Sequence, residues 1–145
     1  MKKLLSFFMA VILLAAPLCV ETYASDDVGR YENIVMPRYS NLATIAASAT
    51  EESFGFISCM SYVATVTNDR TYVITCTLQR TDGSSAWADY KYETKTFTDG
   101  GGHSVEKTWY APANYAYRVE TYLVVKNKAG TVIETACVKS NVVYR

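Results

Sequence analysis

The 145-residue chain carries 14 Lys and Arg against 14 Asp and Glu, with a single His. Charges that cancel argue against nucleic acid and anionic lipid as partners, since both select clustered positive charge. Half of the residues are apolar, 13% are aromatic and 12 are Tyr. β-Branched and aromatic side chains suit pleated surfaces, so the expectation is an all-β protein.

Met1-Lys2-Lys3 is a basic start, residues 4–16 are an apolar run ended by Pro17, and Thr22-Tyr23-Ala24 sets small residues where a signal peptidase reads. This pattern predicts a cleaved secretory signal peptide over 1–24. The run is shorter than the roughly 20 residues a membrane span needs, so no span is expected in the mature form. Lipidation at Cys19 is the weaker alternative, because Leu18 stands where lipoprotein signals want a small residue. Removing 1–24 leaves 121 residues with 12 basic and 13 acidic side chains, a net charge of −1. That is one domain, large enough to bury its own core. Residues 140–145 carry neither an apolar tail nor a wall-sorting signal. The expected location is extracellular, free or held non-covalently at the cell surface.

An extended arm is expected over 25–40, with Pro37 holding its predecessor extended. A first strand follows at 41–50, where small and β-branched residues stand between turn signals. Residues 53–67 are the longest strand candidate, and both parities are mostly apolar: Phe54, Phe56, Met60, Tyr62, Ala64 and Val66 against Ile57, Cys59 and Val63. Such a strand is expected to be interior, with Gly55 marking a bulge or bend. Asn68-Asp69 reads as a turn. In the next strand, 71–80, Tyr72, Ile74, Cys76 and Leu78 face in while Val73, Thr75, Thr77 and Gln79 face out. Asp82-Gly83 is the strongest hairpin signal, a type I′ turn.

From 86 to 98, Ala88, Tyr90, Tyr92, Thr94 and Thr96 oppose Asp89, Lys91, Glu93 and Lys95, and the charged face reads as solvated. Asp99 to His103 is a glycine loop, followed by a short strand over 104–110. From 115 to 125, Tyr115, Tyr117, Val119, Thr121, Leu123 and Val125 share one face, and Arg118, Glu120 and Tyr122 share the other. A last strand of mixed parity covers 131–144. About seven strands at this spacing predict a single antiparallel β-sandwich, immunoglobulin-like, over 41–145. Tyr117, just after the Pro112 corner, is the candidate for a tyrosine-corner hydrogen bond.

Beyond the signal peptide stand Cys59, Cys76 and Cys137. A hairpin turning at Asn68-Asp69 would set Cys59 and Cys76 nearly opposite, and a bond there would contribute about 3 kcal/mol. The alternative is three thiols buried as small hydrophobes. The role of Cys137 stays open.

Catalytic chemistry is thinly supported. His103 is the only imidazole, and Cys76 faces inward, so a thiol nucleophile lacks a base and an orienting group. Zinc needs four ligands at compact spacing. The triple glycine lacks the Lys and Thr of a phosphate loop. No catalytic residue, metal or cofactor is expected. The remaining functional material is aromatic: Trp87, Trp109, Tyr110 and Tyr122 are the candidate binding-face residues, able to stack on sugar rings or anchor a protein.

Met36-Pro37-Arg38-Tyr39, Cys59, Thr77-Leu78-Gln79-Arg80 with Asp82-Gly83 and Trp87, and Tyr117-Arg118 with the final stretch from Glu134 to Ser140 together resemble a family of small, largely uncharacterised secreted proteins of Gram-positive bacteria. The resemblance implies an immunoglobulin- or fibronectin-like sandwich and no known activity. Cys76 and Cys137 depart from it, standing where plain apolar residues are expected. The functional expectation is a secreted, non-enzymatic module that binds a protein or glycan at or outside the cell envelope. The alternatives are a bacteriocin- or toxin-like effector, then a cell-wall hydrolase or thiol enzyme.

Overall fold

The computed structural model describes residues 39–84 and 86–145. The expected signal peptide with Cys19, and the arm as far as Arg38, lie outside the described residues. Eight strands follow in order: β1 (Leu42–Glu51), β2 (Phe56–Thr65), β3 (Thr71–Thr81), β4 (Ala88–Phe97), β5 (Gly101–Tyr110), β6 (Ala116–Lys126), β7 (Val132–Lys139) and β8 (Val143–Tyr144). They form two antiparallel sheets, β1-β2-β5 and β4-β3-β6-β7, with β8 pairing the start of β6. The sheets face one another as a β-sandwich, and no α-helix occurs among the described residues.

Strands β3 and β6 alternate as their sequences demand. Tyr72, Ile74, Cys76 and Leu78 on β3 and Tyr117, Val119, Thr121, Leu123 and Val125 on β6 are buried. Ile45, Ala49, Ile57, Cys59, Val63 and Val105 meet them from the three-stranded sheet. Each large aliphatic side chain so buried contributes about 1.5–3 kcal/mol. One polar bridge crosses this apolar layer. The Thr121 hydroxyl lies 2.6 Å from the Ser61 hydroxyl and 3.1 Å from the Ala46 carbonyl oxygen, so buried polar groups on both sheets are satisfied. At the corner before β6, the Tyr117 hydroxyl donates to the Pro112 carbonyl at 2.7 Å.

Several local expectations change, among them the glycine loop expected over Asp99 to His103, most of which is the start of β5 paired with the end of β2. Asn68-Asp69 is a crossover, since β2 and β3 lie in different sheets. Cys59 and Cys76 are therefore not hairpin neighbours, and both stand as free thiols buried in the core. The connection from β3 to β4 does join sheet neighbours but is longer than a type I′ turn. Asp82 instead closes a local turn by accepting the Ser84 N–H at 3.0 Å. The expected final strand divides at Ser140, whose hydroxyl accepts the Val119 N–H at 2.8 Å and takes the place of a ladder partner.

Another change concerns β4. Its charged side is the inner one as far as Lys91, with Glu93 opposite Cys76, Lys91 opposite Leu78 and Tyr92 and Thr94 pointing outward. A register shift then puts Asp89 on the outer face beside Gln79 and Tyr90 against Tyr117. The four-stranded sheet is the wider of the two, so the inner side of its edge strand meets only the edge of β5 and stays accessible. Glu93 lies 3.6 Å from Lys107 of β5 there. Inward-pointing charges on an edge strand also deter pairing with another chain. The opposite side is closed differently: the Asn141 side-chain amide donates to the Ala49 carbonyl at 3.1 Å, and Glu134 accepts from the Asn41 side chain at 2.8 Å.

Candidate functional site

A two-layer sandwich covers one face of each sheet, so a strand apolar on both faces must display one of them. β2 is that strand. Ile57, Cys59 and Val63 turn into the core, whereas Phe56, Met60, Tyr62 and Ala64 line the outer face of the three-stranded sheet. The expectation that β2 is interior on both sides is therefore corrected, because nothing among the described residues covers its outer face.

The face is anchored at its lower end by an aromatic group. Phe56 pairs with Tyr110 across the ladder, their rings edge to face at 5.8 Å and 39% and 51% exposed. Just before β2, Phe54 holds a left-handed backbone (φ 60°, ψ 25°) with its side chain 93% exposed. That conformation costs a residue with a Cβ about 1–2 kcal/mol, and an exposed ring recovers little of it by burial. Strain held at the surface points to use rather than to stability. Gly55 follows at φ 87°, where an added Cβ would lie 3.0 Å from the Tyr110 ring. Glycine is needed there for both the turn and the close approach. The bend expected at Gly55 is thus the device that lets the backbone pass close to the Tyr110 ring just before β2, with Phe54 projecting into solvent.

Along the face above this group, the register sets cross-strand rows: Thr50, Ser58 and Thr108, then Ser48, Met60 and Glu106, then Ala46, Tyr62 and Ser104. Tyr62 is 37% exposed and lies over Gly102, whose missing Cβ would stand 2.7 Å from the Tyr62 hydroxyl. Glu106 is the one charged side chain in these rows, since Lys107 turns to the other side and meets Glu93.

The four aromatic residues expected to form a binding face are not brought together. Tyr110 belongs to the face just described. Trp109, its neighbour in sequence, has the opposite parity, pairs with the buried Ile57 and is half-buried against the core. Trp87 and Tyr122 lie on the far sheet. The Arg118 guanidinium sits 4.2 Å over the Trp87 ring, and its Nε donates to Gln79 at 2.9 Å. Gln79 in turn donates to Asp89 at 2.9 Å. This chain of contacts ties β4, β3 and β6 together and occupies one face of the indole, a stabilising use of the ring. Tyr122 is half-buried opposite Cys137. Tyr92, 71% exposed, is an open ring of that sheet, as is Tyr144 of β8 at 76%. Phe54, Phe56 and Tyr62 were missed as surface residues, and the signal that could have found them is the double apolar parity of β2 inside a two-layer fold.

The thiol and imidazole chemistry is dispersed. Burial pushes the Cys59 thiol up to about 12, and burial raises Cys76 as well. Neither is a thiolate at neutral pH, and a thiol is a poor nucleophile. His103 stacks on Phe97 at 4.2 Å, with Nε2 2.9 Å from the Asp99 carbonyl oxygen, so it holds the loop between β4 and β5. Among the described residues no group of three or more His, Cys, Asp and Glu is placed to hold a metal ion, and no helix is long and apolar enough to cross a membrane. Comparison of the chain with protein-family models, with curated proteins and with solved structures gave no match.

Proposed function

We propose that the chain is a secreted, non-catalytic β-sandwich module that binds a protein or glycan at or outside the cell envelope through the outer face of its three-stranded sheet. The observation that carries this reading is the displayed Phe56–Tyr110 pair, preceded by the exposed, left-handed Phe54 and held by a glycine-dependent close contact at Gly55. The strand order β1-β2-β5 against β4-β3-β6-β7, with Tyr117 bonded back to Pro112 before the penultimate long strand, supports an immunoglobulin- or fibronectin-like relationship. Secretion rests on the sequence pattern of residues 1–24.

The test pairs a glycan array with capture from envelope extracts, using wild type, a Phe56→Ala/Tyr110→Ala double variant, and Tyr92→Ala on the far sheet as control. Ligand recovery lost only in the double variant is the expected result. Equal recovery by all three proteins refutes the assignment of this face. N-terminal sequencing of the exported protein is expected to begin at Ser25, and an intact Met1 would remove the secretion reading.

A further inference from the structure

We propose that the ligand of this face is an extended, uncharged polysaccharide lying along β2, with one sugar against the Phe56–Tyr110 pair and another beside Tyr62; the inference rests on the binding-module reading above. Three observations carry it.

The first is charge. Across the rows between Phe56 and Tyr62 the only ionised side chain among the described residues is Glu106; at the Tyr110 end the Arg145 guanidinium lies beside Gly55, mostly buried and 3.7 Å from Glu51. A polyanion would meet the Glu106 carboxylate, while Arg145 at the strip's end is already engaged by Glu51, so its approach costs rather than gains. A neutral chain meets a single strong acceptor able to take hydrogen bonds from sugar hydroxyls.

The second is the alternation of chemistry. A sugar ring has apolar C–H faces and a hydroxyl rim. The face offers the same alternation in reverse: aromatic rings at the two ends, and between them the hydroxyls of Ser58, Thr108 and Thr50 around Met60. A protein partner would favour a continuous apolar centre with a polar rim. Here the hydroxyl row lies between the aromatic rings.

The third is size. From Phe56 to Tyr62 the strand rises about 20 Å at ~3.4 Å per residue, and three strands span about 10–15 Å at ~4.8 Å spacing. The strip is therefore about 200–300 Å², well below the ~800 Å² per partner of a stable protein–protein interface. A second copy of the chain or a folded protein would find too little to hold. A single extended chain fits the strip lengthwise and crosses several sugars.

The experiment is calorimetric titration of the full mature chain with linear uncharged oligosaccharides (β-1,4-glucans, N-acetylglucosamine oligomers and mannans) from disaccharide to hexasaccharide. The expected result is affinity that climbs with chain length for one series, falls about ten-fold in Phe56→Ala and in Tyr62→Ala, and changes little between low and high salt. Tyr62→Phe keeps the ring and is expected to retain binding, and Tyr92→Ala on the far sheet is expected to match wild type. Circular dichroism melts of each variant separate lost binding from lost fold. The proposal is overturned if no neutral series binds, if binding survives both ring deletions, or if a polyanion such as polygalacturonate binds better. Should protein capture from envelope extracts depend on the same rings while no sugar binds, the polysaccharide inference fails and the binding module stands. If neither depends on them, both fail.

Discussion

Tyr117→Phe removes the hydroxyl and keeps everything else the residue does. The ring is fully buried, touching Tyr90 and Tyr115 at centroid separations of 6.2 Å each, and these contacts survive the substitution. What is lost is the hydroxyl's 2.7 Å bond to the Pro112 carbonyl together with its hydrogen bond with Arg80. A typical intramolecular hydrogen bond is worth about 0.5–1.5 kcal/mol net, and leaving a buried acceptor unpaired adds to that. Pro112 is only half-buried, so water can reach its carbonyl and the added penalty is small. The expected loss is about 1–1.5 kcal/mol, which for a domain of this size lowers Tm by about 4–8 °C. Urea denaturation followed by circular dichroism reads it as a lower midpoint at unchanged slope. Ligand binding, if measured, should not move, because the hydroxyl faces the corner and not the aromatic face. A stability change below about 0.3 kcal/mol would refute the reasoning, since it is smaller than the weakest net bond allowed.

Thr121→Val removes the inter-sheet bridge and leaves the Ser61 hydroxyl and Ala46 carbonyl to find other partners in the core. It should cost about 1–3 kcal/mol by urea denaturation, and adding Ser61→Ala should restore part of that; strictly additive losses would show that the two hydroxyls are not coupled. Alkaline stability is set in part by Cys59. Its folded pKa of about 12 exceeds the unfolded value of 9.0, so the folded state holds a proton that the unfolded state releases. That stabilisation is complete below pH 9 and is lost as pH rises toward 12, by up to about 4 kcal/mol at 1.36 kcal/mol per unit. Cys59→Ala should flatten the stability profile in this window, and an unchanged alkaline slope would contradict the assignment.

The candidate site was only partly legible in the sequence, for a reason specific to β2. Alternation tells which side chains share a face, but it names the buried face only when the other face is polar, as on β3 and β6. On β2 both faces are apolar, and the choice between Phe56, Met60 and Tyr62 or Ile57, Cys59 and Val63 is not written locally. β4 misleads in the opposite sense: its charged side lies inward because the sheet edge there is uncovered. Trp109 and Tyr110 show the same limit at the scale of neighbours, since adjacent residues on one strand serve opposite faces and only the register with Ile57 and Phe56 assigns them.

What the sequence determined by itself is what short-range physics determines. Strand positions follow from period-two alternation and punctuating turns, the all-β class from composition, and Tyr117 as a corner candidate from its place after Pro112. The left-handed turn at Gly55 was signalled by the glycine itself. Only the tertiary structure decided that Asn68-Asp69 crosses between sheets, that Cys59 and Cys76 lie on facing sheets, and that Phe56 and Tyr110 meet. Sheet membership depends on ladder bonds between residues far apart in the chain, and burial of apolar surface is non-directional. Local pattern sets the two faces of a strand, and the opposing sheet selects which of them water sees.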